Sequence, residues 1–207
     1  SIDNDVACPL FLGRMITGVK NGPSPKWLQD RLTAIGLRPI SALVDITNYM
    51  THDLSRPLHV YDADNLQGNI HVRGAKDGET LAALNDTEYT LKDFMTVVTD
   101  DSGVLGLGGI IGGTSTGCLE DTQNVFLEGA FFDPPMTAKT GRALQIDSDA
   151  RYRFERGIDP DFTIEGIEIA TRMIIDLCGG TASDVTQAGE IPNVVTVVDY
   201  NPSFANE

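Results

Sequence analysis

With 207 residues, 41% hydrophobic and 22% charged, the chain has the size and composition of one large or two small globular domains with a buried core. Its net charge of −15 excludes a surface that grips RNA or DNA unaided, because such affinity rests on Lys and Arg neutralising phosphates; the acidity itself reads as a device for solubility. No apolar run approaches the roughly 20 residues of a membrane span, and no signal peptide is visible.

Cys8, Cys118 and Cys178 are odd in number and far apart, which argues for reduced thiols and a cytoplasmic location rather than a disulfide framework or a zinc site. The sequence starts at Ser1 without a methionine and stops at Asn206-Glu207 just past an apolar run, so it reads as a piece excised from something longer.

In chain order, Ser24-Pro25 predicts an N-cap with proline at the first helical position, and Trp27, Leu28, Leu32 and Ile35 keep helical spacing until Gly36. Ser41 is expected to cap a second helix running to about Leu54. Residues 69–91 turn to strand patterns around Ile70–Arg73, Thr80–Leu84 and Tyr89–Leu91, with Asn85-Asp86 as a turn. Thr96–Thr99 is a further strand, and Asp100–Gly103 turns the chain into a glycine-rich strand. Asn124–Phe132 reads as a strand with Phe126, Glu128 and Ala130 on one face. Asp133-Pro134 opens a helix to about Leu144. The longest helix begins near Asp161, with Ile164, Ile167, Ala170, Thr171, Ile174 and Leu177 in one stripe and Gly179-Gly180 as its stop.

Strands in the middle with helices at both ends predict an α+β fold, with central, mostly antiparallel β-sheets packed sandwich-like and helices flanking them. After Pro192, Val194–Val198 resembles the first strand of another domain, which divides the chain into 1–192 and a linker or domain start at 193–207.

The segment Asp45–Asp62 concentrates polar chemistry. Thr47 and Asn48 sit on the second helix, Arg56-Pro57 signals a turn, and His59 lies between Leu58 and Val60. A histidine in an apolar stretch is either a satisfied core residue or one wall of a site. Thr47 and Asn48 are either local helix-capping groups or ligands of a substrate.

Two motifs fail. Gly113-Thr114-Ser115-Thr116-Gly117 spells a nucleophile elbow, but His52, His59 and His71 all precede Ser115, against the chain order of that fold, and no convincing helix follows. The run Gly106–Gly113 has the wrong spacing for a dinucleotide fingerprint and lacks G-K-[ST]. Its glycines suggest close backbone approach, a bulge or tight packing. The histidines are not paired at i, i+4, and no Cys or carboxylate spacing around them matches a metal-ligand set.

Three segments carry a resemblance: Arg38–Ser41 leading into Val44–Tyr49 and Arg56–Asp62, then Asn124–Phe132, then Asp147–Pro160. In this order and spacing, across about residues 8–190, they closely resemble the B3/B4 region of the β subunit of bacterial phenylalanyl-tRNA synthetase. The resemblance implies that 1–192 is a tRNA-editing domain, one that hydrolyses tyrosine mistakenly esterified to phenylalanine tRNA. The implied partners are the aminoacyl end of tRNA(Phe), the α subunit of an α2β2 parent and tyrosine as ligand. No membrane partner is implied, and no cofactor in this domain, the parent using ATP and Mg2+ elsewhere.

Carried over position by position, the resemblance implies Thr47, Asn48 and His59 as catalytic-site groups, and Glu128, Gly112, Ser148 and Ala150 as substrate-binding groups. Ser148 stands where the family often has threonine, and Arg151 where many relatives have a small polar residue. Under this reading Glu128 is an ionised acceptor for the substrate's para-hydroxyl, Gly112 and Ala150 leave room for its ring, and His59 positions a water or the terminal ribose. From the residues alone, Glu128 reads as an exposed strand carboxylate, and Gly112 and Ala150 as ordinary close packing. The Arg151–Arg156 cluster reads as internal ion pairing rather than a tRNA contact. The competing function is a non-catalytic scaffold or tRNA-contact module, and a weaker one is a serine hydrolase using Ser115.

Overall fold

The computed structural model describes residues 1–3, 5–193, 197–201 and 203. Its elements run β1 (Leu10–Thr17), α1 (Lys26–Ala34), α2 (Ala42–Asp53), β2 (His59–Asp62), β3 (His71–Gly74), β4 (Thr80–Ala82), β5 (Glu88–Thr90), β6 (Thr96–Asp100), β7 (Gly103–Leu107), β8 (Ile111–Gly112), β9 (Asn124–Phe131), α3 (Pro134–Leu144), α4 (Asp149–Phe154), α5 (Phe162–Cys178), β10 (Thr181–Ala182) and β11 (Thr186–Gly189). The expected α+β architecture is found. One sheet has the order β10-β1-β9-β2, with β11 also paired to β1; a second has the order β3-β6-β7-β8; and β4-β5 form a hairpin. Every ladder between named strands is antiparallel.

The layers follow from strand alternation. On one face of the larger sheet, Leu10, Leu12 and Ile16 of β1 and Val125, Leu127 and Phe131 of β9 meet Leu28 and Leu32 of α1, Ile46 and Met50 of α2, and Ile167, Ala170 and Ile174 of α5. On its other face Phe11, Tyr61, Ala130 and Phe132 pack against Val72, Val98 and Leu105 of the second sheet and Phe154 of α4. The far side of the second sheet closes over Leu81, Leu91, Val97, Leu107 and Ile146. Strand β9 is therefore shared by two cores, and residues of alternating parity belong to different ones.

Helix starts show where local expectation gives way. Ser24 does not cap α1: Pro25 holds the N-cap position without a side-chain bond, and the Ser24 hydroxyl donates to Asp45 Oδ2 at 2.5 Å. Ser41 flanks α2 but makes no cap bond either. Buried Asp45 ties the two together, accepting from Ser24 and from the Ile40 amide at 2.8 Å. In α3 the expected device works, with Asp133 accepting from the Met136 amide at 2.8 Å. On α5 the buried stripe is Thr163, Gly166, Ile167, Ala170, Thr171, Ile174 and Cys178, leaving Ile164 exposed.

Arg56 shifts that stripe. Its fully buried stem crosses Gly166, where a Cβ would come within 2.8 Å of Arg56 Cγ. Its guanidinium donates to Thr163 Oγ1 at 2.8 and 3.0 Å and to the Ala130 carbonyl at 3.3 Å. Burial lowers its pKa to about 10, against the opposing field of Asp159.

The expected strand at 194–198 falls mainly outside the described residues; Val197 and Val198 are described and lie in no strand. Strand β1, at the centre of the larger sheet, was not anticipated, although the apolar run Leu10-Phe11-Leu12 and Met15-Ile16 between Pro9 and Gly18 is a buried-strand signal.

Candidate functional site

Between the two sheets, walled by α2 and α4, lies a cavity of about 450 Å³. Thr47, Asn48, His59, Gly112, Glu128, Ser148 and Ala150 all line it, although they come from separated segments of the chain. The residues proposed from the sequence are thus brought together.

β-Pairing sets the centre of the site. His59 on β2 lies opposite Glu128 on β9, and Tyr61, two residues on, points to the same side. Glu128 is not an exposed strand carboxylate: it is 7% accessible, in the layer between the sheets. The Tyr61 hydroxyl donates to its Oε2 at 2.5 Å. Burial pushes the Glu128 pKa up to about 7, with the Tyr61 hydrogen bond pulling the other way. This changes the expected picture of a simply ionised acceptor, since near neutrality the group stands close to its midpoint.

His59 is partly accessible as a residue, but its Nε2 is buried and has no hydrogen-bond partner among the described residues. Its ring meets Tyr61 edge-on, with centroids 4.4 Å apart at 79°. Burial lowers its pKa to about 4, so the imidazole is neutral at physiological pH.

Gly112 has a different task from leaving ring space alone. A Cβ there would overlap His59 Cε1 and lie 2.7 Å from Nε2, so the glycine lets the imidazole rest on the β8 backbone. The glycine run is otherwise a tight hairpin: Gly106 pairs with Gly112, and a Cβ on Gly108 would strike the Phe132 ring at 2.6 Å.

On α2, Thr47 donates to the Val44 carbonyl at 2.8 Å, the local bond typical of helical threonine, which leaves its lone pairs available. The Asn48 side chain makes no hydrogen bond among the described residues. Ser148 uses both functions of its hydroxyl internally, donating to the Ile110 carbonyl at 2.7 Å and accepting from the Arg151 amide at 3.1 Å. It caps α4 and ties it to the β7–β8 turn, shaping the wall rather than offering a free group. Ala150 is half-buried beside it. Arg151 points away from the rim, binding Glu155 at 2.9 Å and packing over Gly141.

The sequence reading passed over Tyr61, Thr51, Leu84 and Cys118, which also line the cavity. Tyr61 was within reach, because two-residue spacing from His59 in a strand places both side chains on one side. A smaller cavity of about 250 Å³ adjoins α4 and is lined by Arg56, Arg153 and Arg156. Those guanidinium groups are committed to Ala130 and Thr163, to Asp149, and to Glu155 respectively, and Asp159 shares the wall. Among the described residues no group of three or more His, Cys, Asp or Glu is gathered to hold a metal ion, and no helix is long and apolar enough to cross a membrane.

Comparison with known proteins gives this geometry a family. Phenylalanine–tRNA ligase β subunits of Paramagnetospirillum magneticum and Ruegeria pomeroyi are 63% and 60% identical over 201 and 195 residues. These matches take in 97% and 93% of this chain but only 25% and 24% of the relatives, so the chain spans about a quarter of their length. An N-terminal fragment of the Pyrococcus horikoshii phenylalanyl-tRNA synthetase β subunit superposes with a TM-score of 0.46 at 20% identity, over 62% of this chain and 41% of that one. A family model, the B3/4 domain, matches residues 7–179, and the chain belongs to that family.

Proposed function

We propose that the chain is the editing module of a phenylalanyl-tRNA synthetase β subunit, hydrolysing the ester of tyrosine misattached to tRNA(Phe). The observation that carries this reading is the convergence of a buried carboxylate, Glu128, and a neutral imidazole, His59, on one cavity of about 450 Å³ that opens to solvent. That volume suits an aromatic amino acid with the end of its ribose.

In the proposed complex the tyrosine ring lies between the sheets and its para-hydroxyl donates to Glu128. Phenylalanine offers no donor and leaves the carboxylate short of a partner. Asn48, with its amide uncommitted, takes the substrate's ammonium or carbonyl, and Thr47 accepts with its free lone pairs. Neutral His59 lines the cavity and orients a water there. With a pKa near 4 it is a weak base, so its contribution is orientation more than proton abstraction. Water adds to the ester carbonyl, the carbon–oxygen bond to the ribose breaks, and the ribose hydroxyl leaves with a proton. The step needs water and no other co-reactant.

The acidity of the domain fits a division of labour in which the rest of a parent synthetase, including its α subunit, delivers the tRNA end. The test is deacylation of preformed Tyr-tRNA(Phe) by the parent enzyme carrying Glu128→Ala or His59→Ala. Slowed clearance by both supports the reading. Parental rates in both would sink it.

A further inference from the structure

Tyr61 has no task in the chemistry above, yet its hydroxyl is committed to Glu128 and its ring touches His59. The residue is 2% accessible, in an otherwise apolar layer with Phe11, Val98, Ala130 and Phe132. A phenol buried there costs free energy unless its hydroxyl is bonded, and the partner it has is the carboxylate at the centre of the site. Among the described residues no other hydrogen bond to that carboxylate is formed.

We propose that Tyr61 sets the selectivity of this pocket, its hydroxyl holding the Glu128 carboxylate in one orientation and in the charged, acceptor form that a substrate para-hydroxyl requires. The proposal rests on the reading of Glu128 as that hydroxyl's acceptor. Tyr61 acts through Glu128 and is a positioning residue.

A carboxylate has two oxygens, and Tyr61 occupies Oε2, so a ligand hydroxyl entering from the cavity meets Oε1. Charged acceptors form hydrogen bonds roughly twice as strong as neutral ones, so protonating Glu128 weakens its hold on tyrosine. The titratable groups facing Glu128 are Tyr61 and His59 on β2 and Cys8 just before β1, while Cys118 and Asp149 line other parts of the cavity. Burial holds the Tyr61 phenol well above its ordinary value, Cys8 far up and Cys118 at about 12, while His59 is pushed down to about 4.

Linkage fixes the signs. A bound tyrosine adds a second donor, favours the charged carboxylate and releases a proton. Bound phenylalanine only strips water from it and takes a proton up. Removing the Tyr61 hydroxyl withdraws a donor and moves the Glu128 midpoint upward.

The experiment uses the 207-residue chain as parent, Tyr61→Phe and Glu128→Gln, each verified as folded by circular dichroism. Glu128 is titrated by carboxyl-labelled NMR, and free tyrosine and phenylalanine affinities are measured calorimetrically from about pH 6 to about pH 8.5. In the parent, tyrosine affinity should climb through the Glu128 midpoint while phenylalanine affinity does not. In Tyr61→Phe the midpoint should rise by about one unit, weakening tyrosine about fivefold at pH 7 with recovery at the alkaline end. Glu128→Gln should abolish the pH dependence. An unmoved midpoint in Tyr61→Phe, or an affinity loss equal at every pH, would overturn the proposal. If the midpoint moves but the parent binds both amino acids equally at every pH, the substrate reading fails, and the selectivity role fails with it.

Discussion

Both faces of β9 pack apolar side chains, but only one of them also carries an ionisable group and a cavity. Toward the helices, Val125, Leu127 and Phe131 are sealed in an apolar core with α2 and α5. Toward the second sheet, Glu128 sits beside Tyr61 and opposite His59, and a cavity remains. Burial fastens both faces, the second through Phe126 and Ala130, but only the second also holds an ionisable group, bonded to Tyr61 beside the cavity. Under the proposed function, the neighbouring pair Leu127 and Glu128 separates stability from selectivity.

Substitutions at that pair give the largest expected effects. Leu127→Ala should cost about 2–5 kcal/mol in chemical denaturation while the folded fraction keeps the proposed preference for tyrosine over phenylalanine. Glu128→Ala should do the reverse, lowering that preference about a hundredfold in binding or deacylation assays. Equal damage to stability by both would break the contrast.

Gly112→Ala comes next. Its Cβ lands on His59, so the ring must leave its seat; deacylation by the parent enzyme should fall about tenfold and stability by about 1–3 kcal/mol. Ser148→Ala removes the α4 cap and the tie to Ile110, for a loss of about 1 kcal/mol on thermal unfolding and a small loss of affinity, because the hydroxyl offers the cavity no uncommitted bond.

The pH dependence of stability gives a subtler contrast. Glu128 has a folded pKa of about 7, above its unfolded value, so its contribution is full below about pH 4.5 and is lost as pH rises through 7. His59 has a folded pKa of about 4, below its unfolded value, so stability linked to it is present above about pH 6.5 and lost as pH falls toward 4. Between about pH 4.5 and 6.5 the two slopes oppose and flatten the parent's curve. Glu128→Gln should unmask the His59 slope, with stability climbing over that window in urea titrations, and should be more stable than the parent at pH 8. A curve unchanged by Glu128→Gln would mean that the carboxyl titrates normally.

Much of the fold was legible because its signals are local. Asp133-Pro134 starts α3, Gly179-Gly180 stops α5, and the alternation of Phe126, Glu128 and Ala130 places them on one side of β9. What failed depends on distant partners. Ser24 reads as a cap but turns to Asp45, and Arg56 reads as a turn residue but threads beneath α5 to reach Thr163 and Ala130. Strand β1 and β2 were passed over although their apolar runs are visible, since short apolar stretches do not declare their own geometry.

For the site, the sequence alone determined the inventory: an acidic domain, a threonine–asparagine pair on a helix, one histidine in an apolar stretch, and a glutamate on a strand whose neighbours mark its face. Resemblance could group those residues, but pattern could not assign their states. Register decided that His59 faces Glu128 and that Tyr61 joins them. Layer packing decided that the carboxylate is buried and shifted toward neutrality, that the imidazole is neutral, and that Gly112 is a seat for its ring. Charge state and orientation depend on dielectric surroundings and on partners far along the chain, and only the assembled sheets supply both.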